Sequence, residues 1–393
     1  MPRTVVRRAG NGAAPEPGWR RYSASTERVR IGCGAGAECR GAPRVAPEVT
    51  DALHLPLSVL DLSPISAGRT ASDALHESIE LARHTESLGY ERYWVAEHHN
   101  IPSVASTSPT VMIASIAAAT ETIRVGAGGI MLPNHAPLQV AETFRVLEAL
   151  HPGRIDLGIG RAPGTDQLTA FALRRSREAL TADDFPQQFA ELRAYVDGFP
   201  DDHPFAPISA QPADVPLPPI WILGSSLYGA QAAGLLGTPF AFAGHFGDAD
   251  PGEAFDMYRQ SFRPNGSDGG LTEPHSMLAV AAIAAESTER AAELERAAAL
   301  STVRLRQNRP GPLPTPEEAA AHEWTPQEEA IVGKLGRFVT SGTGPEVAAG
   351  ILRRAQACGA DELMVTTNVH DPEERRASYT LLMEAMRERV SGE

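Results

Sequence analysis

The sequence predicts an α/β protein built on a closed (β/α)8 TIM barrel, and three observations predict it. First, eight short apolar runs recur along the chain, most of them alternating with stretches of helical spacing. Second, these runs are continuously apolar rather than alternating, which is the pattern of parallel strands covered on both faces. Third, one punctuation repeats: a helix, then glycine, then one or two polar residues, then a strand. It occurs at Leu88-Gly89, Pro152-Gly153, Leu236-Gly237 and Cys358-Gly359. Glycine suits that place because a helix commonly ends on a left-handed residue. A doubly wound open sheet is the rival arrangement, but no Gly-x-Gly-x-x-Gly follows the first strand, which weakens a dinucleotide-binding reading.

Taken in order, residues 1–54 hold Gly, Pro, Ala and scattered Arg with no sustained periodicity. They read as a disordered extension, leaving residues 55–393 as the barrel domain. The expected strands are Leu57–Asp61, Tyr93–Ala96, Ile123–Leu132, Ile155–Gly160, Pro219–Leu223, Pro239–Ala243, His275–Ala285 and Glu362–Thr366. The expected helices are Asp73–Leu88, Pro109–Thr120, opened by Ser108 and Pro109, Leu138–Leu150 and Thr288–Leu305, with another opened by Gly344-Pro345-Glu346. Two insertions break the rhythm, at residues 161–218, with a helix near Phe185–Tyr195, and at residues 305–342. Loops of this length are commonly lids or substrate walls, and both are expected at the carboxyl rim of the barrel.

Composition narrows the function. The chain has 393 residues, 42% of them hydrophobic, and a formal net charge of −14, with Lys334 its single lysine. An acidic chain with no basic block is a poor partner for nucleic acid or an anionic membrane. No apolar run reaches the roughly 18 residues of a membrane span. The Arg pairs near the start are followed by no apolar segment, so a secretory signal is not expected. Cys33, Cys39 and Cys358 form no CxxC pair and no Cys/His metal spacing. A reducing, cytoplasmic setting without structural zinc follows.

Four stretches could carry chemistry. Tyr93-Trp-Val-Ala-Glu-His-His-Asn100 begins as a strand and ends in a carboxylate and two imidazoles. In a parallel barrel the carboxyl ends of strands are where active sites form. No HExxH or HxxxE spacing completes a metal face, so acid–base chemistry or hydrogen bonding fits better, with His98 the leading candidate. Glu97 and His99 are expected to orient it. Val125-Gly-Ala-Gly-Gly-Ile-Met-Leu132 puts three glycines in a strand. Either the barrel wall is tight there, or a flat ligand lies on bare backbone, or a peptide bond takes an unusual form such as a non-prolyl cis bond. Arg161 follows the strand end Gly158-Ile-Gly160 and could reach a phosphate or carbonyl. Leu223-Gly-Ser-Ser-Leu227 joins a strand to a helix; it is either an ordinary helix cap or an anion-binding turn.

Together these stretches resemble the bacterial luciferase-like family of flavin-dependent monooxygenases. The resemblance rests on Leu60-Asp-Leu-Ser-Pro64, on residues 92–100, 124–135 and 148–165, and on Leu223-Gly-Ser-Ser-Leu227, five separated motifs in order across about residues 55–390. It implies a (β/α)8 barrel, reduced FMN (FMNH2) and O2 as reactants, a small organic substrate, a homodimer and a separate flavin reductase. It implies that His98 lies at the reactive edge of the flavin and that Gly128-Gly129 is a cis peptide beneath the ring. It places Arg161 near the flavin phosphate, with Gly224, Ser225, Ser226 and the N–H of Leu227 forming the phosphate turn. Luciferase has a carboxylate in that turn where this chain has Ser225. Hydride transfer with the deazaflavin F420, or flavin binding without turnover, are the alternatives.

Overall fold

A computed structural model describes residues 55–391 apart from 178–179, 181–183 and 266–269. The expected extension over residues 1–54 lies outside these. Ten parallel strands are present: β1 (Leu57–Asp61), β2 (Arg92–Val95), β3 (Arg124–Ala127), β4 (Ile130–Met131), β5 (Ile155–Gly160), β6 (Ile220–Gly224), β7 (Phe240–Ala243), β8 (Ser276–Ala285), β9 (Val339–Thr343) and β10 (Glu362–Thr366). The order β10-β1-β2-β3-β5-β6-β7-β8 closes because β10 also pairs with β8. β3 and β4 share one place in the ring, since β4 continues along β5 past Gly128-Gly129. Eight positions therefore make a TIM barrel, as the sequence predicts.

The helices form for local reasons. α1 (Ala71–Ser87) opens with a capping box in which the Thr70 hydroxyl accepts from Asp73 N–H and the Asp73 carboxylate accepts from Thr70 N–H. α2 (Pro109–Ala119) and α3 (Pro137–Leu150) each begin on proline, whose missing N–H costs nothing there.

Two polar networks set the barrel. At the amino ends of the strands, Arg92 bonds Asp156 at 2.9 Å and Glu362 at 3.0 Å, and Arg124 bonds Asp156 at 2.5 Å. Trp94 Nε1 donates to Asp156 and Ser58 Oγ to Glu362. This charged floor closes one end of the interior. Above it Leu60, Trp94, Trp221, Met277 and Met364 form an apolar plug, with the two indoles edge to face at 5.2 Å.

The second network joins the first strand to the final helix. α4 (Gln167–Arg174), α5 (Phe185–Asp197), α6 (Leu227–Leu236), α7 (Pro251–Ser261), α8 (Thr288–Arg306), α9 (Pro316–Ala321), α10 (Pro326–Leu335) and α11 (Gly344–Cys358) lead to α12 (Pro372–Ser391). Arg375 Nη2 donates to Asp61 Oδ1 at 2.6 Å, and Tyr93 Oη donates to Asp61 Oδ2 at 2.5 Å. Burial opposes the Asp61 charge, but Arg375, Ser78 and Tyr93 outweigh it and hold the carboxyl below its usual range.

Three expectations are corrected. The single strand Ile123–Leu132 is two strands, because the chain departs from β-geometry at Gly128-Gly129. Residues 305–342 hold a strand that was not expected: β9 pairs with the second half of β8, Ala281–Ala285, while the first half pairs with β10. The first insertion is also not wholly at the rim. Residues 161–177 start there, but α5 and the segment after it pack on α3, where Arg145 donates to Ala210 O and Gln211 N–H to Glu142.

Removing one partner of a buried ion pair leaves the other uncompensated, so Arg375→Ala is expected to lower unfolding free energy by about 3–5 kcal/mol in a urea titration.

Candidate active site at the carboxyl rim

The residues singled out in the sequence fall at the carboxyl ends of four neighbouring strands. His98 follows β2, Gly128-Gly129 lies between β3 and β4, Arg161 follows β5, and Gly224 ends β6. These strands are consecutive in the ring, so the four features form one arc around half the mouth.

Glu97 organises that arc. It is fully buried, and it accepts from His99 Nε2 at 2.9 Å, from His135 Nε2 at 2.9 Å and from Met131 N–H at 2.9 Å. Burial works against its charge; the bonds from His135, His99 and Met131 prevail and set its pKa below the ordinary value. The carboxylate thus ties the end of β2 to the chain just beyond Gly128-Gly129. It makes no hydrogen bond to the His98 side chain, the direct contact by which it was expected to orient that ring. His98 is held by the first insertion: its Nδ1 lies 3.2 Å from Gly164 O, and its backbone N–H donates to Ser106 O at 3.1 Å. A carbonyl can only accept, so Nδ1 carries hydrogen and Nε2 keeps a lone pair in the neutral ring. Burial pushes the His98 imidazole below its ordinary pKa despite Gly164 and Glu97, so the ring is neutral at neutral pH. Gly164 is required here. Its φ is +64°, and a Cβ would lie 2.8 Å from Glu97 O.

The glycine wall serves close packing and presents no side chain of its own. The Gly128-Gly129 peptide is cis. A Cβ on Gly128 would meet Leu60 at 2.6 Å, and one on Gly129 would meet Gly158 O at 2.7 Å. A flat ring lying on this wall would meet peptide planes rather than side chains.

Arg161 and the turn Ser225-Ser226-Leu227 come together. The Arg161 guanidinium stacks over the ring of Tyr228, on the first turn of α6, 4.4 Å from its centre. Ser226 is the N-cap residue, with extended backbone, and makes no side-chain capping bond. The simple-cap alternative is therefore not the use made of it. An anion at this turn would meet the N–H groups of a ten-residue helix, two hydroxyls and one guanidinium.

One rim residue was not singled out in the sequence. His245 follows β7, across the ring from β2 and facing His98 over the mouth. Burial, then His98, then Arg354 push its pKa down to about 4. A lone histidine in Ala243-Gly-His-Phe246 carries no spacing that marks it; only closure of the barrel sets it opposite His98. Among the described residues no group of His, Cys, Asp or Glu is placed to hold a metal, and no helix is long and apolar enough to cross a membrane.

A parallel barrel with its rim arranged in this way is shared with a known class of oxidoreductases. Residues 55–362 match the luciferase-like monooxygenase family, and the chain belongs to it. A luciferase-like monooxygenase of Escherichia coli strain K12 is 41% identical over 331 residues, covering 84% of this chain and 97% of that one. The N-acetyl-S-alkylcysteine monooxygenase of Bacillus subtilis strain 168 is 36% identical over 333 residues, covering 84% and 98%. Among solved structures, apo-MsnO8 superposes with a TM-score of 0.76 at 39% identity, covering 85% of this chain and 99% of that one.

Because the Glu97 value in the fold lies below its unfolded value, its stabilisation is complete above the ordinary carboxylate range, about 4.3. It is lost as pH falls through the lowered folded value. Glu97→Gln is expected to cost roughly 1–3 kcal/mol at pH 7, the penalty for disturbing a buried hydrogen-bonded charge. The gap from the parent should close as the denaturation series is carried to lower pH.

Proposed function

We propose that this protein is a flavin-dependent monooxygenase that uses FMNH2 and O2 to oxidise a small organic substrate. The observation that carries the reading is the arc itself: a bare glycine wall with its cis peptide, a neutral histidine beside it, and an arginine–hydroxyl–helix turn at the next strand ends. The set fits a flat heteroaromatic ring bearing a phosphate. Gly128 and Gly129 would lie against the ring. Arg161, Ser225, Ser226 and the N–H of Leu227, with Gly224 allowing the turn, would hold the phosphate.

Reduced FMN, when bound, supplies the electrons with which O2 is activated. The chain does the rest. His98 presents Nε2 as the proton acceptor and can return that proton, its Nδ1–H being fixed on Gly164 O. The charged floor and the tryptophan plug fill the far end of the barrel, which favours approach to the site from the rim. A separate reductase would supply FMNH2, since no nicotinamide-binding motif is present in the sequence. The protein would act in the cytoplasm as a homodimer, for which Val146 and Leu150, exposed on α3, offer apolar surface.

Titration with FMN and F420, each oxidised and reduced, tests the cofactor, and tight binding of F420 alone would replace this reading with hydride transfer. Arg161→Ala should weaken FMN by about ten- to a hundredfold, the worth of hydrogen bonds to a charged group, and leave riboflavin unchanged. His98→Ala should slow substrate-dependent oxygen uptake by about 10²–10⁴-fold with FMN affinity preserved. Undiminished uptake would remove His98 from the chemistry.

A further inference from the structure

The remaining half of the mouth is formed by the ends of β7, β8, β10 and β1. Five buried side-chain nitrogen or oxygen atoms among the described residues have no hydrogen-bond partner. Arg145 Nε, Glu148 Oε2 and Gln188 Oε1 belong to α3 and α5, outside the barrel. The other two, His245 Nδ1 and Thr366 Oγ1, sit on this half of the rim. Thr366 ends β10, two residues beyond the interior residue Met364, so it points to the same inner face. It pairs with Ala281 of β8, and Ala279 pairs with Ala243 of β7. His245 and Thr366 therefore flank β8, whose inward side chains between them are methyl groups.

The backbone at His245 is fixed. Arg354 donates to Gly244 O at 2.8 Å and to Phe338 O at 3.0 Å, and Gly247 N–H donates to Ala243 O at 3.2 Å. The Phe246 ring stands edge to face with the imidazole at 4.6 Å. The charged or titratable groups acting on His245 are His98 across the mouth and Arg354 behind Gly244, and neither is a carboxylate. A neutral imidazole with an unpartnered Nδ1 and an unpartnered hydroxyl, set in a wall of small apolar groups, suit an uncharged polar group. Orphaned buried atoms of this kind call for an explanation, and a bound ligand supplies one.

We propose that His245, together with Thr366, determines specificity by receiving a carbonyl or hydroxyl oxygen on a compact apolar substrate. The inference rests on the opposite arc being the cofactor side. Both atoms are buried, so taking up a ligand oxygen entails rotation of each side chain.

The test uses the full chain loaded with FMN and two probes of one shape, cyclohexanone and methylenecyclohexane. Binding is followed by the imidazole proton resonance of His245 and by probe affinity. Cyclohexanone should shift that resonance and methylenecyclohexane should not. His245→Phe should weaken cyclohexanone by about two- to tenfold, one neutral hydrogen bond, with methylenecyclohexane and FMN unchanged. His245→Asn, which keeps a polar atom near the Nδ1 position, should restore most of the loss. Failure of the unsubstituted protein to bind FMN would overturn the cofactor reading beneath this one. FMN bound normally, with no cyclohexanone-dependent shift or with equal affinities in His245→Phe, would overturn the role of His245 alone.

Discussion

The mouth of this barrel depends on one buried carboxylate. Glu97 gathers the end of β2, the ring of His135, the ring of His99 and the N–H of Met131 onto two oxygens. His98 lies between Glu97 and His99 in the chain, so its backbone is fixed on both sides. Met131 lies two residues past Gly129, so the glycine wall is fixed by the same atoms. A charged acceptor is suited to this because it can take several strong bonds at once. Its isolation from solvent also makes it intolerant of losing any of them. The backbone that carries His98 and the wall beside it are therefore tied to one residue, while the His98 ring itself is held by Gly164 O.

Much of this architecture is legible from residues alone. The apolar runs that become β1, β5, β6 and β10 are buried at nearly every position, and burial on both faces leaves a continuous pattern in the sequence. β9 is not legible for the converse reason. Val-Thr-Ser-Gly-Thr is half-buried and polar, and it becomes a strand because β8 runs past the barrel and offers a free edge. The break at Gly128-Gly129 is readable as an anomaly of glycine content, with three explanations open; in the fold the tight wall and the cis bond occur together. Glu97 illustrates a different limit. Its neighbours in sequence suggest a partner for His98, while its bonds reach His135, a residue 38 positions away. His245 marks the same limit, since its meaning comes from the opposite side of the ring.

The two ends of the barrel are opposites in chemistry. At the amino end Arg92, Arg124, Asp156 and Glu362 saturate one another, and each charge has a partner within hydrogen-bonding distance. At the carboxyl end the uncommitted polar atoms remain on His98, His245 and Thr366, above a plug of indole and thioether side chains. Paired charge is concentrated at one end, and unused hydrogen-bonding capacity at the other. Barrel folds separate these ends in general, and here the separation can be followed strand by strand because Ser58, Arg92, Asp156 and Glu362 all lie in the first two positions of their strands.

β8 changes partners halfway along its length, from β10 to β9. The lower half is a stave of the closed ring. The upper half belongs to a separate annex made by residues 307–343, whose Leu313 also exchanges backbone hydrogen bonds with Ile65 and Ala67 beyond β1. The β8–β9 rungs of the annex are not among those that close the eight-position ring. The outer wall near His245 is thus built partly outside the ring, and Arg354 couples the two by bonding Phe338 O of the annex and Gly244 O of the rim.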